Sequence, residues 1–253
     1  MSFQFTGADA YGSFMGRYAE PLAVLFADHA GAGGSQRALD VGSGPGALTA
    51  ELVRRLRAGA VCAAEPSQTF AAAARQRLPG VAVTRATAEH LPFADGVFDV
   101  VAAQLVVHFM ADPVRGLREM RRVARTGGTV AACVWDYGGG RGPASVLWRA
   151  ARELSRYVRD ESDLPGVREG HLVTLFGEAG LGGIRTGTLT VAVRYPSFEH
   201  WWEPMTLGVG PAGMYVASLG AGRRAALHRR CQALLPAGPF EIRASAWTVA
   251  GRA

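Results

Sequence analysis

The sequence predicts an α/β domain built on an open, doubly wound and mostly parallel β-sheet. Between residues 38 and 136, short apolar runs alternate with amphipathic helical segments, which is the pattern of consecutive parallel βαβ units. The first run, Ala38–Val41, leads directly into a turn with glycines at 42, 44 and 46. Turns of this kind join the first strand of such sheets to a helix. A chain of 253 residues can bury the core of one such domain.

The predicted elements follow one another regularly up to residue 136 and less regularly beyond it. A loop and a helix at 21–29 precede the sheet. The predicted strands are 38–41, 61–64, 81–84, 98–103, 127–136, 188–194 and 240–249. The predicted helices behind them are 47–56, 68–78, 113–124, 144–157, 171–179 and 222–235. The interval between the last two strands holds several aromatic residues and is too long for a hairpin loop.

The composition argues against several classes of function. The net charge is +6 with a pI near 9.8, but the basic residues other than histidine are all arginine, and the chain contains neither Lys nor Asn. This usage is typical of a GC-rich bacterial genome, so we expect no nucleic-acid partner. The absence of Lys also excludes a P-loop lysine and a Schiff-base lysine.

The cysteines and the hydropathy pattern indicate the compartment. Cys62, Cys133 and Cys231 are odd in number, far apart and set among apolar residues, which favours small core residues over disulfides or metal ligands. We predict no metal site. No signal peptide and no membrane-spanning stretch is recognisable. The expectation is a cytoplasmic monomer or homodimer with a small-molecule substrate and no membrane partner.

The glycine turn predicts a nucleotide-sized ligand site. It exposes backbone N–H groups at the start of a helix, where an anionic group is favoured. The spacing Gly42-x-Gly44-x-x-Ala47 alone also fits a dinucleotide-binding turn. Asp40 separates the two interpretations, because a carboxylate at the strand end suits a cationic ligand. Glu65 ends the second strand about twenty residues later, where an acid can accept both hydroxyls of a ribose.

These residues resemble motif I and the second strand of class I S-adenosylmethionine-dependent methyltransferases. The block from Thr87-Ala88-Glu89 through Leu91-Pro92-Phe93 to Phe98-Asp99 resembles the ubiquinone/menaquinone-type (methyltransferase type 11) branch. That branch has an acid-Ala-Glu triplet before Leu-Pro-Phe, and this chain has Thr87 in place of the acid. The substitution makes the Ala88 N–H the stronger candidate for an adenine contact and the Thr87 hydroxyl the weaker one.

The resemblance implies one Rossmann-like domain over residues 1–253. Its sheet would have seven strands, mostly parallel with the last antiparallel. A lid at 1–30 and a helical cap at about 195–236, inserted between the last two strands, would cover the site. The implied cofactor is S-adenosylmethionine, with S-adenosylhomocysteine as product. The implied reaction is an in-line methyl transfer to a small molecule, whose acceptor atom (O, C, N or S) the sequence does not resolve.

Two alternatives stay open at the level of sequence. One is an NAD(P)-dependent oxidoreductase, against which Asp40 and the lack of a Tyr-x-x-x-Lys dyad both count. The other is a non-catalytic nucleotide-binding protein of the same fold, since methyl transfer needs no invariant catalytic side chain.

The candidate site residues fall into three groups. His108 is the candidate general base because it follows the fourth strand, although packing at the sheet edge is an equally good reading. The residues of the implied substrate pocket are Trp135, His200, Trp201 and Trp202, with His200 as a second candidate base. The implied cofactor-binding residues are Tyr11, Arg17, Asp40, Gly42, Ser43, Gly44, Gly46, Glu65, Pro66, Thr87, Ala88, Glu89, Gln104 and Leu105.

Overall fold

The computed structural model describes residues 7–253, so residues 1–6 of the predicted lid lie outside the described residues. The strands are β1 (Ala38–Val41), β2 (Val61–Ala64), β3 (Ala82–Thr84), β4 (Phe98–Gln104), β5 (Ala124–Trp135), β6 (Gly182–Tyr195) and β7 (Phe240–Arg252). The α-helices are α1 (Ala8–Tyr11), α2 (Arg17–Ala30), α3 (Ala47–Leu56), α4 (Gln68–Arg77), α5 (Pro113–Val123), α6 (Ser145–Leu154), α7 (His171–Glu178), α8 (Phe198–Trp202), α9 (Gly210–Ser218) and α10 (Ala221–Leu234). Over this range no helix is long and apolar enough to cross a membrane.

The strands form one seven-stranded sheet in the order β3-β2-β1-β4-β5-β7-β6. The first five are parallel to their neighbours, and β7 runs antiparallel to both β5 and β6. This confirms the predicted sheet, including its reversed last strand. The strand order changes direction between β1 and β4, and open α/β sheets bind ligands at the carboxyl ends of the strands at such a point.

Helices cover both faces of the sheet, and this burial accounts for the apolar strand sequences. All four residues of β1 are buried, as expected for a central strand of a parallel sheet. One core cluster includes the buried faces of α2 and α3, and the other those of α5 and α7. The carboxyl ends of β1, β2 and β4 are therefore held in a rigid frame.

The segment before the sheet differs from the prediction. We expected a loop up to Pro21, but the chain is helical from Ala8, passes through a π-helical turn at Gly12–Gly16 and continues as α2, with Pro21 inside the helix. The buried face of α2, which includes Tyr18, Leu22 and Phe26, explains the difference. Burial of such side chains contributes about 1.5–3 kcal/mol each, so together they exceed the roughly 3 kcal/mol that one internal proline costs.

The region after β5 also contains longer elements than predicted. We expected a strand at 188–194, but β6 pairs with β7 from Gly182 to Tyr195. Its first half is mostly exposed at the sheet edge, so it lacks the apolar run that marks the other strands. Helices α8, α9 and α10 lie between β6 and β7, the interval in which the cap was expected, and α10 packs against α6.

Candidate functional site

A cavity of about 460 Å³ lies at the carboxyl ends of β1, β2 and β4. We call it the strand-tip cavity. Of the cofactor residues predicted from sequence, those that line it are Tyr11, Asp40, Gly42, Ser43, Gly44, Glu65, Pro66, Thr87, Ala88, Glu89, Gln104 and Leu105. Its other lining residues include Phe70, Phe109 and Met110. The structure thus brings together segments from positions 11 to 111 at the predicted edge of the sheet.

Glu65 is held by backbone donors on both of its oxygens. Oε2 accepts a hydrogen bond from the Gly44 N–H (2.8 Å), and Oε1 accepts one from the Ser67 N–H (2.8 Å). Burial raises the pKa of Glu65, and these two hydrogen bonds oppose the rise. Each carboxylate oxygen has further lone-pair capacity. The carboxylate is therefore fixed in orientation at the cavity wall and still able to accept hydrogen bonds from hydroxyl groups.

Positions 42 and 44 of the turn are occupied by glycine for different structural reasons. Gly42 has φ +70°, and a Cβ there would lie 2.6 Å from the methyl carbons of Val106, so packing within the protein requires this glycine. Gly44 has φ +54°, and a Cβ there would meet no atom within 4 Å. Since Gly44 lines the cavity, that open space is the ligand side of the turn. The structure therefore leaves room for a ligand beside Gly44, whereas Gly42 is required by the packing of Val106.

Asp40 lies at the cavity wall and is almost completely buried. Its Oδ2 accepts a short hydrogen bond (2.6 Å) from the Thr49 hydroxyl on α3. Burial raises the pKa of Asp40 to about 7, with the charge of Glu65 adding to the rise and the Thr49 hydrogen bond opposing it. A cation bound in the cavity would favour the ionised form of both carboxylates.

The strand-tip cavity is acidic and has polar atoms to offer a ligand. Asp40, Glu65 and Glu89 are among its lining residues, whereas no arginine or histidine is, within the part of the chain that the structure describes. Two buried side-chain atoms in its wall, Ser43 Oγ and Gln104 Oε1, have no hydrogen-bond partner. Buried polar atoms are rarely left unpaired, so these two are suited to partners on a bound molecule.

A second, smaller cavity of about 40 Å³ adjoins the first, and we call it the inner cavity. Tyr11, Leu105 and Phe109 line both cavities. Leu105 has φ +62°, a backbone conformation that costs a leucine about 1–2 kcal/mol. Such strain concentrates at functional sites, and here it stands at the wall between the cavities. The other residues lining the inner cavity are Phe14, Met15, His108, Trp135, Tyr137, Glu161, Val209, Gly210, Pro211 and Ala212.

Two of the residues predicted for catalysis or for the substrate pocket, Trp135 and His108, line the inner cavity. Trp135 donates its Nε1–H to Met15 Sδ at 3.2 Å. His108 is buried, its Nδ1 has no partner, and burial lowers its pKa to about 3. An imidazole with so low a pKa is a weak proton acceptor, so its position suits a hydrogen bond to the substrate better than general-base catalysis.

Several predicted residues line neither cavity. The Arg17 guanidinium stacks 4.4 Å from the Tyr195 ring centroid and donates to the Arg194 carbonyl. Gly46 caps α3, where a Cβ would lie 2.9 Å from Leu78 Cδ1. His200 is exposed and hydrogen-bonded to Ser197 Oγ.

Trp201 and Trp202 are buried away from both cavities and pack with Phe198 and with each other, and Trp202 also packs against His228. The apolar face of α8 is thus occupied by packing within the helices between β6 and β7, α8 to α10, which we call the cap. The cap reaches the inner cavity instead through residues 209–212 at the start of α9.

The sequence analysis missed Tyr137 and Glu161. Tyr137 follows the Trp135 end of β5, a position that could have been found because loops after strands of such sheets line ligand sites. Glu161 lies in a 3-10 turn, Glu161–Asp163, within a loop rich in acidic and basic residues. Nothing in the local pattern distinguishes it from its solvated neighbours.

Among residues 7–253, no group of three or more His, Cys, Asp or Glu side chains is arranged to hold a metal ion. The three cysteines are free, with Cys133 and Cys231 buried.

Comparisons with known proteins agree with this geometry. Residues 39–132 match a family described as a methyltransferase domain. A relative from Mycobacterium sp. (strain KMS), an uncharacterized methyltransferase, is 32% identical over 221 residues, which are 82% of this chain and 86% of that protein. The chain belongs to the methyltransferase family.

A second relative and a solved structure show how far the similarity extends. A demethylmenaquinone methyltransferase of the same mycobacterial strain is 36% identical over 139 residues, or 53% of this chain and 58% of that protein. The crystal structure of the YcgJ protein from Bacillus subtilis superposes with a TM-score of 0.59 at 17% identity, covering 93% of this chain and 97% of that chain. At that identity the superposition supports the methyltransferase fold alone.

Proposed function

We propose that this methyltransferase transfers a methyl group from S-adenosylmethionine to a small-molecule acceptor. The observation that carries the proposal is the charge of the strand-tip cavity, where Asp40, Glu65 and Glu89 have no facing arginine among the described lining residues. Such a cavity favours a cationic ligand. The cofactor has a sulfonium and an ammonium group, whereas the pyrophosphate of NAD(P) would be repelled by the carboxylates.

The residues of the strand-tip cavity fit this cofactor. Glu65, held by the Gly44 and Ser67 N–H groups, would accept the ribose hydroxyls. Asp40 would balance a positive charge, and the unpartnered Ser43 Oγ and Gln104 Oε1 would hydrogen-bond to its polar groups. The adenine would be expected near Thr87 and Ala88, in the same wall.

Bound S-adenosylmethionine supplies an electrophilic methyl group on sulfur, which a nucleophile displaces in line. The protein's contribution is to place the acceptor and exclude water. Tyr11, Leu105 and Phe109 border both cavities, so a methyl group presented at this boundary would face the inner cavity. The inner cavity is small and lined mostly by apolar side chains, which supports a small acceptor.

Parallel calorimetric titrations with S-adenosylhomocysteine, S-adenosylmethionine and NADP⁺ test the proposal. We expect binding of the first two and none of the third. Binding of NADP⁺, or no binding of either sulfur compound to folded protein, would contradict it. Glu153→Gln, on the solvent-exposed side of α6, is the matched control for variants of the cavity carboxylates.

A further inference from the structure

The inner cavity contains a buried carboxylate that the proposed function does not use. Glu161 is 4% exposed and lines the cavity together with Phe14, Phe109, Trp135 and Tyr137. Buried acidic groups are normally paired with a cation or a metal. A carboxylate presented to a cavity of aromatic side chains therefore calls for a partner.

The partners that the structure gives Glu161 are neutral. Oε2 accepts a hydrogen bond from Trp148 Nε1 at 2.8 Å, and the Tyr137 hydroxyl also hydrogen-bonds to the carboxyl group. In the described part of the chain, no arginine lines this cavity and no salt bridge includes Glu161. The neighbouring Asp160 is already paired with Arg152.

Burial raises the pKa of Glu161 to about 8, with the charge of Asp160 adding to the rise and the two hydrogen bonds opposing it. The other titratable groups lining the cavity are His108, which burial keeps neutral, and the phenols Tyr11 and Tyr137, whose pKa values burial raises. None of these supplies a positive charge. The cavity thus has one group that can lose a proton near neutral pH and no internal cation to balance it.

We propose that the inner cavity binds an amine as its ammonium ion, and that Glu161 is the residue that holds it. The aromatic faces of the cavity add cation–π attraction to the charge of Glu161. An anionic acceptor would lose its hydration there without meeting a positive charge, because no arginine is among the described residues that line the cavity. A neutral alcohol would gain neither the full charge attraction of Glu161 nor the cation–π attraction of the aromatic rings.

This inference rests on the proposed function for its chemistry. Glu161, ionised by the bound cation, takes one proton from the ammonium group and so frees the nitrogen lone pair. The nitrogen then bonds to the methyl carbon while the carbon–sulfur bond breaks and its electron pair stays on sulfur. The product nitrogen keeps its positive charge as the methylated ammonium ion, and the proton on Glu161 leaves to solvent.

Matched ligands give a direct test of the charge preference. Small primary amines such as methylamine and ethylamine, chosen for a cavity of about 40 Å³ and each paired with the alcohol and the carboxylic acid of the same skeleton, are titrated calorimetrically into the protein saturated with S-adenosylhomocysteine. We expect at least one amine to bind about tenfold or more tighter than its alcohol, the effect of one charged hydrogen bond. We expect the acid to bind more weakly than either.

Proton release separates a binding role from a structural one. Because Glu161 is mostly protonated at pH 7 and an ammonium ion favours its charged form, amine binding should release close to one proton at that pH and fewer at pH 9. Titration in buffers of different ionisation enthalpy measures this number. Glu161→Gln should abolish the release and reduce the amine affinity to that of the alcohol, while Glu153→Gln should leave both unchanged.

The remaining outcomes are also decisive. Equal affinity for amine and alcohol, no amine binding, or unchanged amine binding by Glu161→Gln would overturn the inference. If Glu161→Gln does not fold, the proton release of the wild-type protein decides. If S-adenosylhomocysteine binds but amines are not preferred, the proposed methyl transfer is retained and the ammonium site is rejected. If amines bind to the cofactor-free protein and S-adenosylhomocysteine does not bind, the ammonium site is retained and the proposed methyl transfer is rejected.

Discussion

The two cavities meet at Tyr11, Leu105 and Phe109 but are built differently. The strand-tip cavity is formed largely by backbone groups and short side chains at the ends of adjacent strands, with Glu65 fixed by two N–H donors. The inner cavity is formed mainly by side chains that come from five segments: the N-terminal helices, residues 105–109 after β4, the end of β5, the loop around Glu161 and the start of α9. In the first, the fold itself supplies the contacts; in the second, individual side chains do.

This difference separates two kinds of function. A site made by the turn after β1 and the strand ends changes little unless the backbone changes. A site made by side chains from five separate segments can change its ligand by single substitutions without disturbing the sheet. The first arrangement suits a fixed cofactor and the second a variable acceptor.

The largest effect that we expect comes from the cap and tests whether α8 belongs to either cavity. Trp201 is fully buried against Phe198 and Trp202, so Trp201→Ala should lower the free energy of unfolding by about 3–5 kcal/mol. Chemical denaturation measures the loss. The sequence had suggested a change of substrate preference instead; a stable variant with altered substrate choice would restore α8 to the acceptor site.

The next largest effect that we expect is a loss of ligand binding in the strand-tip cavity alone. Gly44→Val places a side chain in the open space of the turn at positive φ, and we expect affinity for S-adenosylhomocysteine to fall by roughly a hundredfold or more, since strain and exclusion of the ligand add. Calorimetry measures it. Gly238→Val is the control, because Gly238 also has positive φ and open space but lines neither cavity. Similar losses in both variants would show that strain alone is responsible.

Glu65→Ala removes one carboxylate from the same cavity and leaves the turn in place. We expect S-adenosylhomocysteine to bind about 1.5–3 kcal/mol more weakly, the contribution of hydrogen bonds to a charged group. Ligand binding in the inner cavity should be unaffected. A dissociation constant equal to that of the wild-type protein would remove Glu65 from the cofactor site.

The smallest effect that we expect is the contribution of Glu161, in the inner cavity, to the pH dependence of stability. With a pKa near 8, folded Glu161 retains a proton that the unfolded chain has already lost, so stability falls as pH rises. Between pH 7 and 9 this one group should lower the free energy of unfolding by about 1.4 kcal/mol. The cysteine pKa values are also raised, but their contribution cancels in the difference between wild type and Glu161→Gln. Parallel curves for the two proteins would show that Glu161 has an ordinary pKa.

The sequence was informative where backbone geometry decides the structure. The glycines after β1, the acids Asp40 and Glu65 and the alternation of strands and helices each depend on local rules, and most of the residues predicted for the cofactor line the strand-tip cavity. Arg17 and Gly46 do not line it. Arg17 finds its partner across the fold at Tyr195, and Gly46 caps α3.

The inner cavity was mostly beyond such rules. Whether Glu161 or its neighbour Asp160 points into the core depends on how the loop before α7 crosses Tyr137 and Trp148, which are distant in sequence. The paired tryptophans of α8 were read as a pocket wall, although large aromatic side chains fill a core equally well. Of the residues predicted for the acceptor, Trp135 and His108 line the inner cavity, and both lie at or just after the end of a predicted strand.

The place of β7 between β5 and β6 has a consequence for the order of folding. Since β6 pairs only with β7 among the described strands, it has no edge to join until β7 has docked on β5. The helices of the cap lie between these two strands in the chain and stay unanchored for the same time. Contacts between such distant segments form slowly, because the loop between them must close first. We therefore expect the parallel half of the sheet to gain protection from hydrogen exchange first during refolding, and the acceptor side of the enzyme to be completed last.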